Sequence, residues 1–388
     1  MQLKTFSYSE LESTPQEWVL DELRLGQRTL LVGKNASGKS RALIVMYGLA
    51  KNLASLQSIA TSGTFSCTLE GQGNVYVYQV RTESGHVLSE ILHVNGTTVL
   101  ERGAGGIGKI WAEKVDNGKF IEFQTPTTEF AAVARRDSIQ HSYFELLYEW
   151  AANVRHFQFG TNLGKDRFAV FGPGGIKPDE RDQSIIVAIF KEAKQAYEDK
   201  FLDAVKRDMS AIGYEIEKVD IGPPVSIQIA SMGGGAVPEV MCLFVKEADL
   251  PGITDQLGMS QGMFRVLTLL IYVNYLELKQ TPTLMLVDDI GEGLDYDRSC
   301  RLIKLLRSKA DNSNLQIVLS TNDRFVMNEV PLEEWSILQR HGNRVSVKNI
   351  ENSREIFEGF KFSGLSNFSF FELDVVNEVL SEPSAPRA

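Results

Sequence analysis

The sequence predicts an α/β fold in which a mainly parallel sheet carries an antiparallel β lobe and a short helical subdomain. Apolar segments at residues 28–32, 284–287 and 316–319 alternate with stretches of helical periodicity, as expected for parallel strands buried on both faces. Residues 64–125 instead contain several short strands separated by turn residues, which indicates antiparallel hairpins. Apolar side chains recur at helical spacing over residues 182–212, which indicates the helical subdomain.

The individual elements follow from the same patterns. In the first half of the chain we predict strands at 1–8 and 28–32, an amphipathic stretch at 18–23, a helix at 39–56, lobe strands at 75–80, 89–94, 97–101, 109–115 and 119–123, a helix at 138–152 and a strand at 154–159. In the second half we predict a helix at 182–212, strands at 215–219, 226–230 and 240–245, a helix at 262–278, a strand at 284–287, a helix at 299–310 and a strand at 316–319.

The order of these elements predicts one domain over residues 1–380. It would comprise a sheet core, an antiparallel lobe and a helical and β insert, at residues 1–63 with 255–350, 64–125 and 178–250 respectively. Residues 381–388 are polar and rich in Pro and Ser, so we expect a disordered tail.

Composition restricts the class of protein. The chain has 388 residues, of which 43% are hydrophobic and 23% charged, ordinary values for a globular protein. The three cysteines and five histidines are scattered and lack metal-ligand spacing, so we expect neither a disulfide framework nor a zinc site. No apolar leader or membrane-length apolar run is present, which predicts a cytoplasmic protein without membrane association. The formal charge of −10 disfavours a general nucleic-acid-coating protein.

Residues 33–40 read GKNASGKS and fit the phosphate-loop pattern G-x-x-x-x-G-K-S. An apolar strand precedes the motif and a helix follows it, which is the context in which backbone N–H groups bind phosphate at a helix N-terminus. Lys39 would then reach the β- and γ-phosphates, and the Ser40 hydroxyl would bind Mg²⁺. The predicted nucleotide-binding residues of this loop are Gly33, Asn35, Ala36, Ser37, Gly38, Lys39 and Ser40.

A second motif follows the apolar strand at 284–287. Asp288 and Asp289 end this strand, as the carboxylates of a Walker-B motif do. In that arrangement Asp288 holds Mg²⁺ and Asp289 polarises the attacking water.

Three further segments occur in a fixed order. Residues 259–265 read MSQGMFR and open an apolar helix, which resembles the S-x-G-x-x-R form of the ABC signature with Ser260 and Gly262 at its functional positions. Residues 291–295 read GEGLD and look like a D-loop that ends in Asp295. Residues 316–322 look like the strand and switch loop of the same proteins, with Asn322 at the usual histidine position.

Over residues 3–327 the chain therefore resembles ABC, SMC and RecF-like P-loop ATPases of the OLD-like type. The resemblance implies ATP and Mg²⁺ as ligands, and a homodimer or higher even-numbered oligomer in which Ser260 and Gly262 act on ATP bound by the other copy. It also implies a glutamine near the metal, for which Gln158 is the first choice and Gln140 the second. Stand-alone ATPase subunits of bacterial anti-phage systems, such as Septu or PARIS, look similar.

Two departures from the family pattern predict slow hydrolysis. Asp289 replaces the usual glutamate and is one methylene shorter, while Asn322 replaces histidine and carries no charge near neutral pH. Loss of a well-placed base costs about 10²–10⁴-fold in rate. Ala36 replaces a more usual glycine, and we expect the loop to tolerate it.

Two functions remain open at this level. The chain resembles an ATPase that controls a nuclease or toxin partner in an anti-phage complex, and also a RecF-like repair ATPase that binds duplex DNA. A regulatory ABC subunit is a third and weaker option. The basic clusters that DNA binding would need, Arg135 with Arg136 and Lys200 with Lys206 and Arg207, are more typical of solvated helix faces.

Three other features favour a structural interpretation over a functional one. Residues 103–108 match G-x-G-x-x-G but are followed by an alternating stretch, which indicates a loop between hairpin strands. Phe6 and Tyr8 are candidates for purine stacking, although we favour core packing. The aromatic segment 357–371 either docks a partner or packs on the core, and we favour packing.

Overall fold

The computed structural model describes residues 1–55, 58–59, 62–171, 178–227 and 240–373. The chain forms two compact units. The first comprises Met1–His156, Pro282–Leu286 and Gln316–Ala388, and the second Phe157–Thr281 and Val287–Leu315. The tail predicted at 381–388 and the last three residues of the strand predicted at 226–230 lie outside the described residues.

Apart from the strand predicted at 226–230, the predicted strands and helices are present in the predicted order, and the structure adds further strands and helices that the sequence patterns did not indicate. The strands are β1 (Gln2–Glu10), β2 (Trp18–Arg24), β3 (Arg28–Val32), β4 (Gly63–Gly71), β5 (Asn74–Glu83), β6 (His86–Val94), β7 (Thr97–Arg102), β8 (Ile107–Ala112), β9 (Lys119–Gln124), β10 (Val154–Gln158), β11 (Ala169–Val170), β12 (Ile216–Gly222), β13 (Val240–Glu247), β14 (Thr254–Asp255), β15 (Thr283–Asp288), β16 (Leu315–Ser320), β17 (Trp335–His341) and β18 (Arg344–Lys348). The helices are α1 (Lys39–Leu53), α2 (Ala131–Ala134), α3 (Ser142–Ala152), α4 (Ile186–Ile212), α5 (Gln261–Lys279), α6 (Tyr296–Asn312), α7 (Arg324–Glu329), α8 (Arg354–Lys361) and α9 (Asn367–Glu372).

One large sheet organises the first unit. Among the described residues its 14 strands run in the order β10-β15-β16-β3-β17-β18-β2-β1-β4-β5-β6-β7-β8-β9. Strand β3 pairs in parallel with β16 and with β17, and β18 pairs in parallel with β2. Every residue of β15 and β16 is buried, as the continuous apolar runs predict. The predicted α/β fold class is thereby confirmed.

The antiparallel lobe continues the same sheet. Strands β4 to β9 pair antiparallel in sequence order, and β4 also pairs with β1, where Phe6 lies opposite Cys67. The turn at Asn95-Gly96 has positive φ at both residues, as a tight hairpin requires. Residues 104–106 form one short 3-10 turn between β7 and β8, so the glycine-rich segment is the predicted hairpin loop.

Aromatic residues fill the core of the first unit. Phe6 and Tyr8 are 1% and 3% exposed, which confirms core packing over purine stacking. In the segment 357–371, Phe357 and Phe360 pack against Phe370, and Phe370 contacts Trp335. These contacts confirm packing on the core for Phe357, Phe360 and Phe370, whereas Phe362 is 90% exposed.

The second unit combines a small sheet with three long helices. Within the described residues the sheet has the order β11-β13-β12, with β14 paired to β13. The predicted strand at 226–230 is wrong at its first two residues, which form a bend. Helix α4 has a kink at Glu198, whose φ is 48°. A buried ion pair joins helices α4 and α6, since Lys309 Nζ lies 2.8 Å from an Asp208 carboxylate oxygen.

None of the helices in the described part of the chain combines the length and hydropathy that crossing a bilayer requires.

Candidate functional site

The phosphate loop joins β3 to α1. Lys39, the first residue of α1, is buried and directs its ammonium back over the loop, donating to the carbonyl oxygens of Gly33 at 2.7 Å and Lys34 at 3.4 Å. The Ser37 N–H donates to the Lys34 oxygen at 3.1 Å and closes a turn within the loop. The lysine thus stands at the loop, where a bound phosphate would replace the carbonyl oxygens as its partner.

Glycine is required at both ends of this loop. A Cβ at Gly33 would overlap Ser37 Oγ and lie 2.7 Å from the Leu338 carbonyl oxygen. Gly38 has φ 103°, and a Cβ there would lie 3.2 Å from the indole ring of Trp18. The tight turn therefore depends on the absence of side chains at these two positions.

The loop accommodates Ala36, as expected, but at a cost in backbone conformation. Ala36 has φ 63°, in the left-handed region, where an L residue with a Cβ is disfavoured by about 1–2 kcal/mol. The loop therefore retains strain that a glycine would not carry.

The loop fits a phosphate group by two independent observations. Ser37 Oγ is buried and, among the described residues, has no hydrogen-bond partner. The first turn of α1 contains no acidic residue, so the positive end of the helix dipole is not neutralised there. An anion at the start of α1 would therefore find hydrogen-bond donors and the positive end of the helix dipole. Ser40 is half-buried in the same turn.

Asn322 lies beyond the strand next to β3. Strands β16 and β3 are parallel, with Ser320 opposite Leu31, and the Thr321 N–H donates to the Leu31 oxygen at 3.3 Å. Parallel strands end at the same sheet edge, so the switch-like segment and the phosphate loop leave the sheet on the same side. Asn322 is exposed, and the neighbouring Asp323 caps α7 by accepting a hydrogen bond from the Phe325 N–H.

In the second unit, Asp288 and Asp289 end strand β15. Asp288 is 7% exposed, and its carbonyl oxygen accepts a hydrogen bond from the Phe159 N–H at 3.0 Å. Asp289 has φ 55°, a left-handed conformation that aspartate adopts more readily than most residues. A Cβ on Gly160 would lie 3.4 Å from Asp289 Oδ2 and 2.7 Å from Glu292 Oε2, so a side chain there would displace the end of the Glu292 side chain.

Of the two glutamine candidates, Gln158 lies beside the acidic strand end. It immediately precedes Phe159, and its backbone N–H donates to Gln183 Oε1 at 2.7 Å. Gln140, the second choice, belongs to the first unit, where its side chain accepts a hydrogen bond from the Lys114 N–H at 3.3 Å.

The signature-like segment begins helix α5. Ser260 is the exposed N-cap, and its Oγ accepts a hydrogen bond from the Met263 N–H at 3.2 Å. Gly262 is buried beside the D-loop-like segment, where a Cβ would lie 2.8 Å from the Gly293 carbonyl oxygen. The glycine of the motif is therefore required for close packing of these two segments.

Arg265 connects three parts of the second unit, a role that the sequence pattern did not reveal. Its guanidinium is buried and donates to the backbone oxygens of Gly160 at 2.7 Å, Thr161 at 3.0 Å and Glu292 at 2.8 Å. These contacts hold the segment after Gln158 and the D-loop-like segment against α5.

Asp295 has a structural role as the N-cap of α6. Its carboxylate accepts a hydrogen bond from the Arg298 N–H at 2.9 Å and pairs with the Arg298 guanidinium. These hydrogen bonds hold the pKa of Asp295 below its ordinary value. The Arg298 guanidinium also stacks 4.4 Å from the ring centroid of Tyr214.

The structure thus groups the predicted residues by unit. The phosphate loop and Asn322 belong to the first unit, and Gln158, Ser260, Gly262, Asp288, Asp289 and Asp295 belong to the second.

No family model matches the sequence, and no curated protein sequence is similar to it. Solved structures of SMC head domains are similar in fold. A crystal structure of an SMC head bound to the C-winged helix domain of ScpA has 13% identity and a TM-score of 0.51, with 92% of this chain and 100% of that chain covered.

Two further SMC head structures match more weakly. The head domain from Thermotoga maritima has 14% identity and a TM-score of 0.43, covering 90% of this chain and 99% of that one. The head derived from Pyrococcus furiosus, with an extended coiled coil and bound to the C-terminal domain of ScpA, has 11% identity and a TM-score of 0.47, covering 92% and 99%. The first of the three comparisons supports an SMC-head-like, ABC-type fold.

Proposed function

We propose that the protein is an ABC-type ATPase that binds ATP with Mg²⁺, hydrolyses it slowly and associates in pairs around two ATP molecules. The observation that carries this proposal is the phosphate loop. Lys39 folds over the loop, Gly33 and Gly38 leave no room for side chains, and the positive end of α1 meets no acidic residue in its first turn.

The residues divide the chemistry among them. We assign phosphate binding to Lys39 and the loop N–H groups, and the family resemblance assigns Mg²⁺ to the Ser40 hydroxyl and to the Asp288 carboxylate. Mg²⁺, when bound, neutralises charge that develops on the transferring phosphoryl group. The same resemblance assigns to Asp289 a hydrogen bond from the attacking water, and to Asn322 an amide that would hydrogen-bond the water or the γ-phosphate.

Slow hydrolysis follows from the nature of these two groups. The side chain of Asp289 is one methylene shorter than the usual glutamate, so its reach to the attacking water is limited. Asn322 cannot take up a proton near neutral pH. We therefore expect ATP binding, more than ATP hydrolysis, to determine whether the protein is associated in pairs.

Association in pairs is supported by the start of α5. Ser260 is exposed and caps the N-terminus of this helix, where the positive end of the helix dipole lies. Such a terminus binds anions, and the γ-phosphate of ATP held by a second copy is an anion of suitable charge.

Mass measurement in solution tests this proposal. With ATP, the wild-type chain should form a dimer or a higher even-numbered oligomer, and Lys39→Ala should remain monomeric and lose ATP affinity by about 100-fold or more, because charge-assisted hydrogen bonds to phosphate are lost. Lys34→Ala, in the exposed part of the same loop, is the matched control and should behave like wild type. A wild-type chain that binds no ATP, or that turns it over rapidly alone, contradicts the proposal.

We further propose that the ATPase controls an effector protein, a nuclease or a toxin, in a cytoplasmic anti-phage complex. This rests on the sequence resemblance to ATPase subunits of such systems. Co-purification with a small protein encoded next to it, without DNA, supports this role. Duplex binding that weakens steeply with salt would support the RecF-like alternative instead.

The described basic clusters weigh against duplex binding. Arg136 pairs with Glu145, Lys206 with Asp203, and Arg207 with Asp208. Cations that already neutralise neighbouring carboxylates offer less charge to a phosphate backbone.

A further inference from the structure

Two adjacent buried polar residues, Asp255 and Gln256, precede the signature-like turn. They are 1% and 0% exposed, although aspartate and glutamine are usually found at the surface. Asp255 is the last residue of β14, and Ser260 caps α5 only five positions later. Buried polar side chains next to a candidate binding segment suggest a role in holding that segment in place.

The Asp255 carboxylate collects hydrogen bonds from two directions. It accepts from the N–H groups of Val225 and Ser226, both at 2.8 Å, and from the Ser226 hydroxyl. It also accepts from the Gly258 N–H at 3.1 Å, while its own carbonyl oxygen accepts from the Met259 N–H at 3.1 Å. The Asp255 side chain therefore stabilises the turn that leads to Ser260 and joins this turn to residues 225–226 by hydrogen bonds.

Gln256 ties the same turn to a third segment. Its side-chain oxygen accepts from the Leu243 N–H at 3.0 Å, in strand β13. Its amide nitrogen donates to the carbonyl oxygens of Lys165 at 3.0 Å and Arg167 at 2.6 Å. Residues 165–167 follow the segment that begins with Gln158, so the amide joins that segment to the approach of the signature-like helix.

We propose that Asp255 and Gln256 are positioning residues that hold the turn before Ser260 in the orientation that ATP-dependent association requires. This inference rests on the function proposed above. Neither residue touches nucleotide; both act through the backbone of the turn. The physical reason is that the Asp255 and Gln256 side chains are themselves buried, so a replacement that cannot make the same hydrogen bonds leaves a buried polar group facing partners it can no longer satisfy, and the turn relaxes.

Two isosteric substitutions test the pair. Asp255→Asn keeps the shape but turns one acceptor into a donor that faces N–H groups. Gln256→Glu keeps the acceptor for Leu243 but places a carboxylate oxygen against the oxygens of Lys165 and Arg167. Asp220→Asn is the matched control, because Asp220 in β12 is also hydrogen-bonded, but to Lys194 of α4 at 2.6 Å and to the Ile221 N–H of its own strand at 2.9 Å, and not to the turn.

The readout compares two affinities in an Asp289→Asn background that slows ATP hydrolysis. Asp255→Asn and Gln256→Glu should each weaken ATP-dependent association by about tenfold or more, while the affinity of the monomer for ATP stays within about twofold, because the phosphate loop is untouched. Asp220→Asn should change neither quantity. Association equal to that of the parent, or a matching loss of ATP affinity, would overturn the proposal.

Hydrogen exchange separates this inference from the proposed function. Without nucleotide, Asp255→Asn should raise amide exchange at residues 257–263, and Gln256→Glu should raise it at 165–167 as well. Unchanged exchange at these residues refutes the positioning role, whether or not the wild-type chain associates with ATP. If exchange rises in the two variants as expected but the wild-type chain does not associate with ATP, the proposed function is refuted. The role of Asp255 and Gln256 in holding the turn is then still supported.

Discussion

Arg265 donates a hydrogen bond from Nη2 to the carbonyl oxygen of Gly160 at 2.7 Å, and so joins helix α5 to the segment that follows Gln158. The same guanidinium reaches Thr161 and Glu292, and it is 8% exposed. One planar group thus donates to three backbone oxygens on two loops, from its Nε, Nη1 and Nη2 atoms. A lysine also has three donors, but they share one nitrogen and cannot spread over the three oxygens in this way.

Replacing Arg265 should destabilise the second unit. Arg265→Lys removes the fork of donors and breaks at least one of the three hydrogen bonds to carbonyl oxygens, so we expect a loss of about 1–3 kcal/mol in the free energy of unfolding. Urea denaturation measures the change. Arg354→Lys, at an exposed i,i+4 pair, is the control and should cause little change. Equal effects of the two substitutions would show that the three carbonyl contacts contribute nothing specific.

Ala36→Gly should stabilise the phosphate loop. The left-handed conformation at Ala36 disfavours a Cβ, so glycine should raise the free energy of unfolding by up to about 1 kcal/mol, after its extra entropy in the unfolded chain is counted. Ala211→Gly is the control: it lies exposed in helix α4, where glycine should cost about 1 kcal/mol. Opposite signs for the two variants in thermal or chemical unfolding confirm the prediction; the same sign contradicts it.

Gly33→Ala should abolish ATP binding. The added methyl group would overlap Ser37 Oγ and approach the Leu338 oxygen to 2.7 Å, so the loop must shift and its N–H groups no longer converge on a phosphate. We expect a loss of about 100-fold or more in ATP affinity, measured by titration calorimetry.

Gly48→Ala is the control, since no atom lies within 4 Å of a Cβ there and the position is helical. That variant should bind ATP normally and gain about 1 kcal/mol of stability. Normal ATP binding by Gly33→Ala would refute the steric argument.

Substitutions at Asp289 should change the rate of hydrolysis in opposite directions. Asp289→Asn removes the carboxylate and should lower turnover by about 10²–10⁴-fold. Asp289→Glu lengthens the side chain and should raise turnover several-fold, while its less favourable left-handed backbone lowers stability by about 1 kcal/mol. Steady-state phosphate release measures both rates, with Glu372→Asp, at an exposed acid in α9, as the control for a general carboxylate effect. A turnover that Asp289→Asn leaves unchanged would exclude Asp289 from catalysis.

Asp255 should make the stability of the second unit depend on pH in the acid range. Burial opposes its ionisation, but the hydrogen bonds from Ser226, Gly258 and Val225 outweigh burial and lower its pKa. Because the folded pKa lies below the unfolded value of about 3.9, this contribution to stability is complete above the unfolded pKa and is lost as the pH falls through the folded pKa. Unfolding by urea between pH 6 and pH 2 should therefore show a smaller pH dependence in Asp255→Asn than in wild type. Identical slopes would contradict the assignment.

The sequence determined the fold class, the order of the elements and the nature of the phosphate loop. These features depend on local chemistry, which the order of residues reports directly. Apolar runs predict buried parallel strands, Asn95-Gly96 predicts a tight hairpin, and the pattern of Gly33, Gly38 and Lys39 predicts a loop at a helix start. The same signals predict the bounds of β3 and the start of α1, and they predict the start of α3 to within a few residues.

The tertiary structure decided the contacts between segments that are distant in sequence. The pairing of β1 with β4 makes the lobe a continuation of the main sheet, and no local pattern specifies that register. Arg265 acquires its role only because Gly160 and Glu292 fold against it, and Gly262 requires its small size only because Gly293 lies beside it. Left-handed backbone at Ala36 and Asp289 is likewise imposed by surrounding structure, because it opposes the intrinsic preference of these residues. Local preferences are encoded residue by residue, whereas packing and strain arise from the simultaneous placement of many residues.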